Sequence, residues 1–408
     1  DGENSLGKLT NEDGGTINQI YTDSSNGSTT ELLNQGEVEY ISANAGKKGT
    51  TTGTNEGTVN EHIRVGADGE GAQADMTNSG EANRFYGTSS NGGKTDMINE
   101  GKVTGDGSTV TVTDPNNGNS WEETSGELNG WSEGKGSITT VINHGSANSS
   151  GNGSTDGGYT KVSNLGTIET YMSGGTSGSG SQLEFENSDT GKVGALYGNS
   201  EDGASIIVTN EGKVGDVIGV GADGKGSSAT VINNGTAQEF YIGVWDGGSA
   251  TGENTGVIEG DMGSGAFGGK THLENGKDGV VGGTLHIGAG AGGTATAANQ
   301  GSVGGFDVWA DSSNDGMEEA AIYADEANAA EGESASAKGT NEGTISGSAN
   351  VWSSGNSNAE LINNGQANRL DVGAEENGAS SVTNNGTIGS AENSSNIEIW
   401  LNNGSGSL

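Results

Sequence analysis

The hydrophobic positions of this chain come in short fragments that recur with a fixed period. Each fragment holds roughly three to five residues, is rich in β-branched side chains, and is bounded by Gly, Ser, Asn and Asp. The fragments lack the i, i+3, i+4, i+7 spacing of amphipathic helices, so they predict strands. Three fragments in about 22 residues indicate the coil of a parallel β-helix, whose strands pair with their copies in the next coil.

The tripeptide Asn-x-Gly marks each coil, and Asn34, Asn55, Asn78 and Asn99 follow one another at steps of 21, 23 and 21 residues. With Asn as position 0, Gly is at position 2 and an apolar residue at position 4. We expect the Asn side chains to bond from coil to coil and the Gly residues to adopt positive φ. The structural turn residues so predicted include Asn55, Gly57, Asn210, Gly212, Asn233, Gly235, Asn341, Gly343, Asn363, Gly365, Asn384 and Gly386.

The repeat predicts an all-β fold, a single continuous β-solenoid over residues 1–408 with about 18 coils of roughly 21–23 residues. Asn99 and Asn143 are 44 residues apart, and Asn299 and Asn341 are 42 apart; we interpret each interval as two periods with one degenerate coil. Irregular or inserted stretches lie in these intervals, near 104–136 and 317–339. For the second, which is rich in Ala and Glu, a short helix or a protruding loop is the alternative.

Three hexapeptides carry a family resemblance: Thr54-Asn55-Glu56-Gly57-Thr58-Val59, Thr340-Asn341-Glu342-Gly343-Thr344-Ile345 and Thr383-Asn384-Asn385-Gly386-Thr387-Ile388. They resemble the repeats of autotransporter-type passenger regions, over roughly residues 9 to 404. Those regions are parallel β-helices on bacterial cell surfaces, and many are adhesins. The resemblance implies an extracellular location at the cell surface and an adhesive role.

Composition narrows the classes of function. Only 28% of the 408 residues are hydrophobic, too few for a wide globular core but enough for the thin core of a solenoid. The net charge of −39 argues against nucleic acid and anionic membranes as partners. No apolar run reaches the ~18 residues of a membrane span, so membrane insertion is not expected. The chain has no Cys, which suits an exported protein.

Catalytic patterns are missing from the sequence, and we expect no enzymatic activity. The four histidines, His62, His144, His272 and His286, have no metal-binding spacing and are expected on the surface. Carboxylates are plentiful but are spread over the turns, which is typical of a solvated acidic surface. Some parallel β-helices bind or cleave carbohydrate, and that function is the alternative.

Two similar turns are candidates for calcium, the one cofactor that we consider. Asp68 and Glu70 lie in Gly66-Ala67-Asp68-Gly69-Glu70-Gly71, and Asp223 lies in Gly221-Ala222-Asp223-Gly224-Lys225-Gly226. Carboxylate and backbone oxygens of such turns are suitable ligands for a hard cation. An ordinary acidic turn is the alternative.

Aromatic residues near position 8 predict a contact surface. Position 7, which includes Phe85 and Tyr171, is assigned to the core, so position 8 should face solvent. The predicted contact residues, for lateral association or for stacking on glycans, are Tyr86, Tyr197, Tyr241, Trp245, Trp309 and Trp352.

Together these patterns predict a non-enzymatic extracellular structural or adhesive solenoid. Its expected partners are further copies of itself, head to tail or side by side, and a surface glycan or cell receptor. Open sheet edges at the ends of an uncapped solenoid favour end-to-end association into a surface fibre. An ice-binding array is less favoured, because the Thr-x-Thr run Thr109–Thr113 does not recur from coil to coil.

Overall fold

The computed structural model describes residues 4–105, 109–113, 120–312, 333–389 and 396–402. The chain forms two compact units, Asp1–Leu196 and Tyr197–Leu408. Both are parallel β-solenoids, with about 16 turns in all, which confirms the predicted fold class. The described residues include no helix, and therefore none that could span a membrane. A single continuous solenoid over 1–408 stays a prediction.

The first face of each coil is a six-residue strand that ends at a stacked asparagine. Side chains alternate inward and outward along it, because successive residues of a strand point to opposite sides. In the first unit these strands are Leu6–Asn11, Thr29–Asn34, Thr50–Asn55, Gln73–Asn78, Lys94–Asn99, Ile138–Asn143, Tyr159–Asn164 and Gln182–Asn187. In the second they are Ser205–Asn210, Ser228–Asn233, Ser249–Asn254, Lys270–Asn275, Thr294–Asn299, Ser336–Asn341, Asn358–Asn363 and Ala379–Asn384.

The second and third faces are a short and a longer strand segment, which in several coils join into one bent strand. A register shift marks the bend, as between Val59 and His62. In the first unit these strands are Thr16–Ser24, Glu37–Ala45, Thr58–Asp68, Glu81–Ser90, Lys102–Val103, Leu128–Glu133, Ser146–Ala147, Ser150–Thr155 and Thr167–Ser177, followed by Lys192–Glu201, which contains the unit boundary. In the second they are Lys213–Val214, Val217–Asp223, Thr236–Ala237, Glu239–Trp245, Val257–Ile258, Met262–Ala266, Val280–Ala289, Ser302–Asp311, Thr344–Ser354, Gln366–Glu375, Thr387–Ile388 and Asn396–Asn402.

Successive coils pair in register, so each stacked asparagine meets its own copy, as predicted. The Nδ2 of one Asn donates to the Oδ1 of the next at 2.7–2.9 Å in the first unit. The corresponding distances in the second unit are 2.6–2.8 Å. Most of these amides are fully buried. Because a buried amide without partners is costly, the ladder holds the coils in one register.

Three ladder residues, Asn11, Asn187 and Asn275, lie outside the Asn-x-Gly pattern. In each case the glycine follows four residues later, and its carbonyl still accepts from the Asn amide, as from Asn187 to Gly191 at 3.4 Å. The two extra residues form a turn, closed by a hydrogen bond from the Gly191 amide to the Ser188 carbonyl at 2.9 Å. The longer spacing is therefore a variant of the same corner.

The two long intervals are single coils with insertions, so the interpretation of a degenerate coil in each is wrong. Asn99 donates directly to Asn143 at 2.8 Å, and Asn299 donates directly to Asn341 at 2.7 Å. An intervening coil would hold each pair about 9.6 Å apart. The roughly 18 coils counted on the sequence thus become about 16.

Part of the first insertion is an antiparallel hairpin of Thr109–Thr113 and Ser120–Thr124, so this Thr-x-Thr run lies outside the parallel sheets. Regular pairing resumes at Leu128–Glu133 and, in the second interval, at Ser336–Asn341. Both inserted stretches therefore end earlier than residues 136 and 339. Residues 313–332 of the second lie outside the described residues.

The glycine of the Asn-x-Gly corner is needed for close packing and not for the positive φ that we predicted. Neither Gly57 nor Gly235 has a positive φ. A Cβ on Gly57 would lie 2.0 Å from the carbonyl oxygen of Gly36, one coil away, and a Cβ on Gly235 would lie 2.1 Å from that of Gly212. Since backbone atoms cannot yield by that much, any side chain here would separate the coils.

The interior combines apolar side chains with paired hydroxyl groups. Position 4 is buried in almost every coil, and the largest fully buried side chains include Phe85, Phe185, Phe240 and Phe306. Many buried hydroxyls bond to one another and to nearby carbonyls, as where Thr160 lies 2.9 Å from the Ser132 hydroxyl and donates to the Gly153 carbonyl at 2.6 Å. The interior is thus filled by the chain itself.

Two predicted side-chain positions are wrong. Tyr171, assigned to the core, is half-buried, and Met172 is fully buried in its place. Met172 pairs with Ser150 of the preceding coil, because the bend before Met172 takes one more residue than the bend before Ser150, as it also does before Ile63. His62, assigned to the surface, is buried, and its ring packs edge-on against Tyr40 at a centroid distance of 4.2 Å.

Candidate binding cleft

A lateral cleft of about 1080 Å³ opens on the third face of the first unit, lined by residues from Tyr40 to Gly174. Six successive coils contribute to it, which at ~4.8 Å a coil makes it on the order of 24 Å long. The strands that carry it are Glu37–Ala45, Thr58–Asp68, Glu81–Ser90, Leu128–Glu133, Ser150–Thr155 and Thr167–Ser177.

Of the described lining residues, three are aromatic: Tyr40, Tyr86 and Trp131. Strand alternation places Tyr86 outward beside fully buried Phe85. It also places Trp131 outward beside fully buried Ser132, and Trp131 is 44% exposed. The cleft therefore presents partly exposed aromatic surface on neighbouring strands.

A glycine holds the Trp131 ring flat against the sheet. Trp131 pairs with Gly153 of the next coil, and a Cβ on Gly153 would lie 2.2 Å from Cζ3 of the indole. One face of the ring thus covers the bare backbone of Gly153, and the opposite side is open to solvent. The ring is a platform whose orientation is set before any ligand arrives.

Polar groups at the bottom of the cleft are fixed by hydrogen bonds. Asn129 donates to Oε2 of Glu127 at 2.9 Å, and the Tyr86 hydroxyl approaches the same oxygen at 3.5 Å. Oδ1 of Asn129 accepts from the Gly151 amide at 2.6 Å. Oδ1 of Asn152 accepts from the Gly130 amide of the preceding coil at 2.9 Å. Since both bonds to Glu127 end on Oε2, its other oxygen keeps acceptor capacity for a ligand.

Arg64 brings a positive charge to the cleft. Its guanidinium carbon lies 5.9 Å from the centroid of the Tyr86 ring, within the range of a cation–π contact. Arg64 and Tyr86 are direct neighbours in register, so the contact follows from the coil stacking. Among the described lining residues, Glu127 supplies the one negative charge and Arg64 the one positive charge.

The predicted contact residues are divided between the two units. Tyr86 lies in the cleft of the first unit, and the other five lie in the second unit. Tyr197 is half-buried in the strand Lys192–Glu201, and among the other four Trp309 and Trp352 are neighbours in register. Those four rings each cover a glycine of an adjacent coil, whose added Cβ would lie 2.1–3.0 Å from the ring: Tyr241 on Gly263, Trp245 on Gly221, Trp309 on Gly288 and Trp352 on Gly373. Their role as a contact surface stays a prediction.

The proposed calcium turns lie where the third face leads into the next coil. The carboxylate of Asp68 accepts from the Ser90 hydroxyl at 2.6 Å and from the Asn91 amide at 2.7 Å, and these hydrogen bonds lower its pKa. Glu70 is exposed and Asp223 is half-buried. The described residues hold no group of three or more His, Cys, Asp or Glu suited to a metal, and calcium here stays a prediction.

The sequence pattern indicates Tyr86 but not the rest of the cleft, which includes Tyr40, Arg64, Glu127 and Trp131. Positions in a coil are counted from its Asn, and the insertion before Glu127 changes the number of residues between Asn99 and Trp131. Trp131 could therefore not be assigned a position in the repeat. No alternation of apolar and polar residues marks Leu128–Glu133, because its buried residues include Gly130 and Ser132 and its outward residues include Trp131.

Comparison with protein-family models, curated proteins and solved structures gives no match. The class of the protein therefore follows from its own fold and site. It is an acidic parallel β-solenoid with an aromatic cleft on its lateral surface.

Proposed function

We propose that this chain is a non-enzymatic, extracellular adhesive β-solenoid of the kind found in autotransporter passenger regions. The fold supports this proposal, because stacked coils repeat the same lateral faces and so offer an extended surface for contact. The sequence resemblance points to the same class of surface protein. Attachment would then be the task of the lateral surface, since the interior is filled.

The observation that carries the proposal is the open cleft beside Trp131. Exposed aromatic rings next to fixed polar groups are typical of binding sites, because the rings supply contact area and the polar groups supply specificity. Among the described lining residues Glu127 is the only carboxylate, whereas glycoside hydrolysis usually employs a pair of them. The cleft therefore favours binding over cleavage.

Adhesion can be measured directly with beads that carry the purified chain. We would record their retention under flow on cellulose, chitin, mucin and fibronectin, with albumin-coated beads as the control. We expect retention above the control on at least one glycan-bearing surface. Retention equal to that of albumin beads on every surface would refute the adhesive function.

Self-association into a fibre is the second candidate, and the polarity of the ladder favours it. In every described step the Nδ2 of one Asn donates to the Oδ1 of the Asn that follows in sequence, as from Asn34 to Asn55 and from Asn341 to Asn363. A free coil edge thus offers donors at one end and acceptors at the other, which is complementary for head-to-tail pairing. Filaments in electron micrographs, with a sedimentation coefficient that rises with concentration, would support the fibre; single particles at all concentrations would refute it.

A further inference from the structure

We propose that the cleft beside Trp131 binds an extended, neutral oligosaccharide that runs along the stacking direction of the coils. This inference rests on the proposed adhesive function, because it names the chemical class of the adhesive ligand. It follows from the ring geometry, the polar groups, the charge and the length of the cleft.

The ring of Trp131 has the geometry of a stacking platform for a pyranose. Gly153 leaves the indole flat on the sheet, with its free side toward the cleft. One face of a pyranose carries mainly C–H groups, which pack against an aromatic face. Tyr86 lies in the preceding coil and pairs in register with Asn129, two residues before Trp131. Its ring therefore offers a second aromatic surface one coil away.

The polar groups match a ligand rich in hydroxyls. A hydroxyl both donates and accepts, and the cleft offers both functions through Glu127, Asn129 and Arg64. Glu127 and Asn129 are already held by hydrogen bonds of 2.6–2.9 Å within the protein. These side chains therefore lose little conformational entropy when a ligand binds.

Charge selects a neutral ligand over an anionic one. Arg64 is the only cation among the described lining residues, and Glu127 opposes it. The whole chain carries a net charge of −39. A polyanionic glycan or a nucleic acid would be repelled at long range, because such ligands need several cations along their path.

The length of the cleft selects a chain over a single sugar. Its six coils span on the order of 24 Å at ~4.8 Å per coil. That coil spacing is similar to the length that one pyranose ring occupies in an extended glycan. Equivalent positions on successive coils can thus meet successive sugar rings.

The test is a titration of the full chain with defined sugars, followed by calorimetry. The probes are cellohexaose, chitohexaose and maltohexaose, with their disaccharides for length and hexagalacturonate for charge. We expect saturable 1:1 binding of at least one neutral hexasaccharide, with affinity at least about tenfold above that of its disaccharide. Absence of binding by all three neutral hexasaccharides, or stronger binding of hexagalacturonate, would overturn the proposal.

Variants locate the site. Trp131→Ala should weaken binding about tenfold or more, and Gly153→Ala, which keeps the indole but displaces it, should also weaken binding. The matched comparison is Trp309→Ala in the second unit, whose ring also covers a glycine, Gly288, but lies outside the cleft. Equal weakening by Trp131→Ala and Trp309→Ala would overturn the assignment to the cleft.

The bead assay separates this inference from the adhesive function. Beads that adhere, and are not released by any of the hexasaccharides, would leave adhesion standing and overturn the saccharide proposal. Saccharide binding in solution without bead retention would support the saccharide proposal and overturn the adhesive function. Calorimetric binding of extended peptides in place of sugars would also overturn the saccharide proposal.

Discussion

Replacing Asn78 by Ala tests whether the asparagine ladder holds the coils together. Asn78 is fully buried, donates to Oδ1 of Asn99 at 2.9 Å and to the Lys102 carbonyl at 3.2 Å, and accepts from Asn55 at 2.7 Å. Each hydrogen bond contributes about 1 kcal/mol net, and the orphaned Asn99 oxygen adds about 1–3 kcal/mol. Part of this loss is offset, because Asn55 keeps bonds to two carbonyls at 3.2 and 3.3 Å. We therefore expect a loss of about 3–5 kcal/mol.

The assay combines urea unfolding with amide hydrogen exchange. Coils in a solenoid interact mainly with their neighbours, so the loss should be concentrated near residues 73–103. Peptides from 336–366 in the second unit provide an internal reference. Exchange near the substitution should accelerate by two orders of magnitude or more, while the reference changes little.

Two substitutions serve as controls. Ser79, the next residue, is exposed, and its hydroxyl reaches only the exposed Glu100 at 3.0 Å, so Ser79→Ala should cost no more than about 0.5 kcal/mol. Asn384, at the last described step of the ladder, is exposed, and Asn384→Ala should cost less than about 1 kcal/mol. If Asn78→Ala cost no more than these controls, the reasoning about the buried ladder would be wrong.

Three further predictions concern corners, pH and salt. Gly57→Ala should destabilise by about 1–3 kcal/mol or more in urea unfolding, whereas Gly175→Ala, with no atom within 4 Å of the new Cβ, should be neutral or slightly stabilising. Glu184→Gln should cost about 0.5–1 kcal/mol near pH 7 and progressively less as the pH falls through the folded-state pKa of Glu184. Burial raises this pKa, but hydrogen bonds from Tyr159 and Lys161 outweigh the burial and lower the pKa overall. Raising NaCl from about 0.01 M to about 1 M should raise the melting temperature, because the Debye length falls from ~30 to ~3 Å and screens the net charge of −39.

Each of these has a result that contradicts it. Equal effects of Gly57→Ala and Gly175→Ala would show that the corner tolerates a side chain. For Glu184 the lowered pKa places the stabilisation above the unfolded pKa and removes it as the pH falls through the folded pKa, so a cost that persists at low pH would disprove the link. A melting temperature that is independent of salt would remove the argument from charge repulsion, and an extra rise with calcium at equal ionic strength would indicate specific sites.

The cleft illustrates what sequence patterns leave undecided. Tyr40, Arg64, Tyr86 and Trp131 belong to four different coils, and their grouping depends on bends that shift the register between the second and third faces. A one-residue change in such a bend reverses which side chain points inward, as Tyr171 and Met172 show. The repeat period alone does not report these shifts.

The sequence by itself determined the coil, because strand alternation and corner residues are local properties that recur every 21 to 23 residues. It also determined the asparagine ladder, since an equal period places equal residues opposite one another. Tertiary structure decided that Asn99 stacks directly on Asn143, because inserted residues of nearly one period leave the same spacing as a true coil. It also decided why the Gly57 corner excludes a side chain, since the carbonyl that forbids a Cβ belongs to another coil.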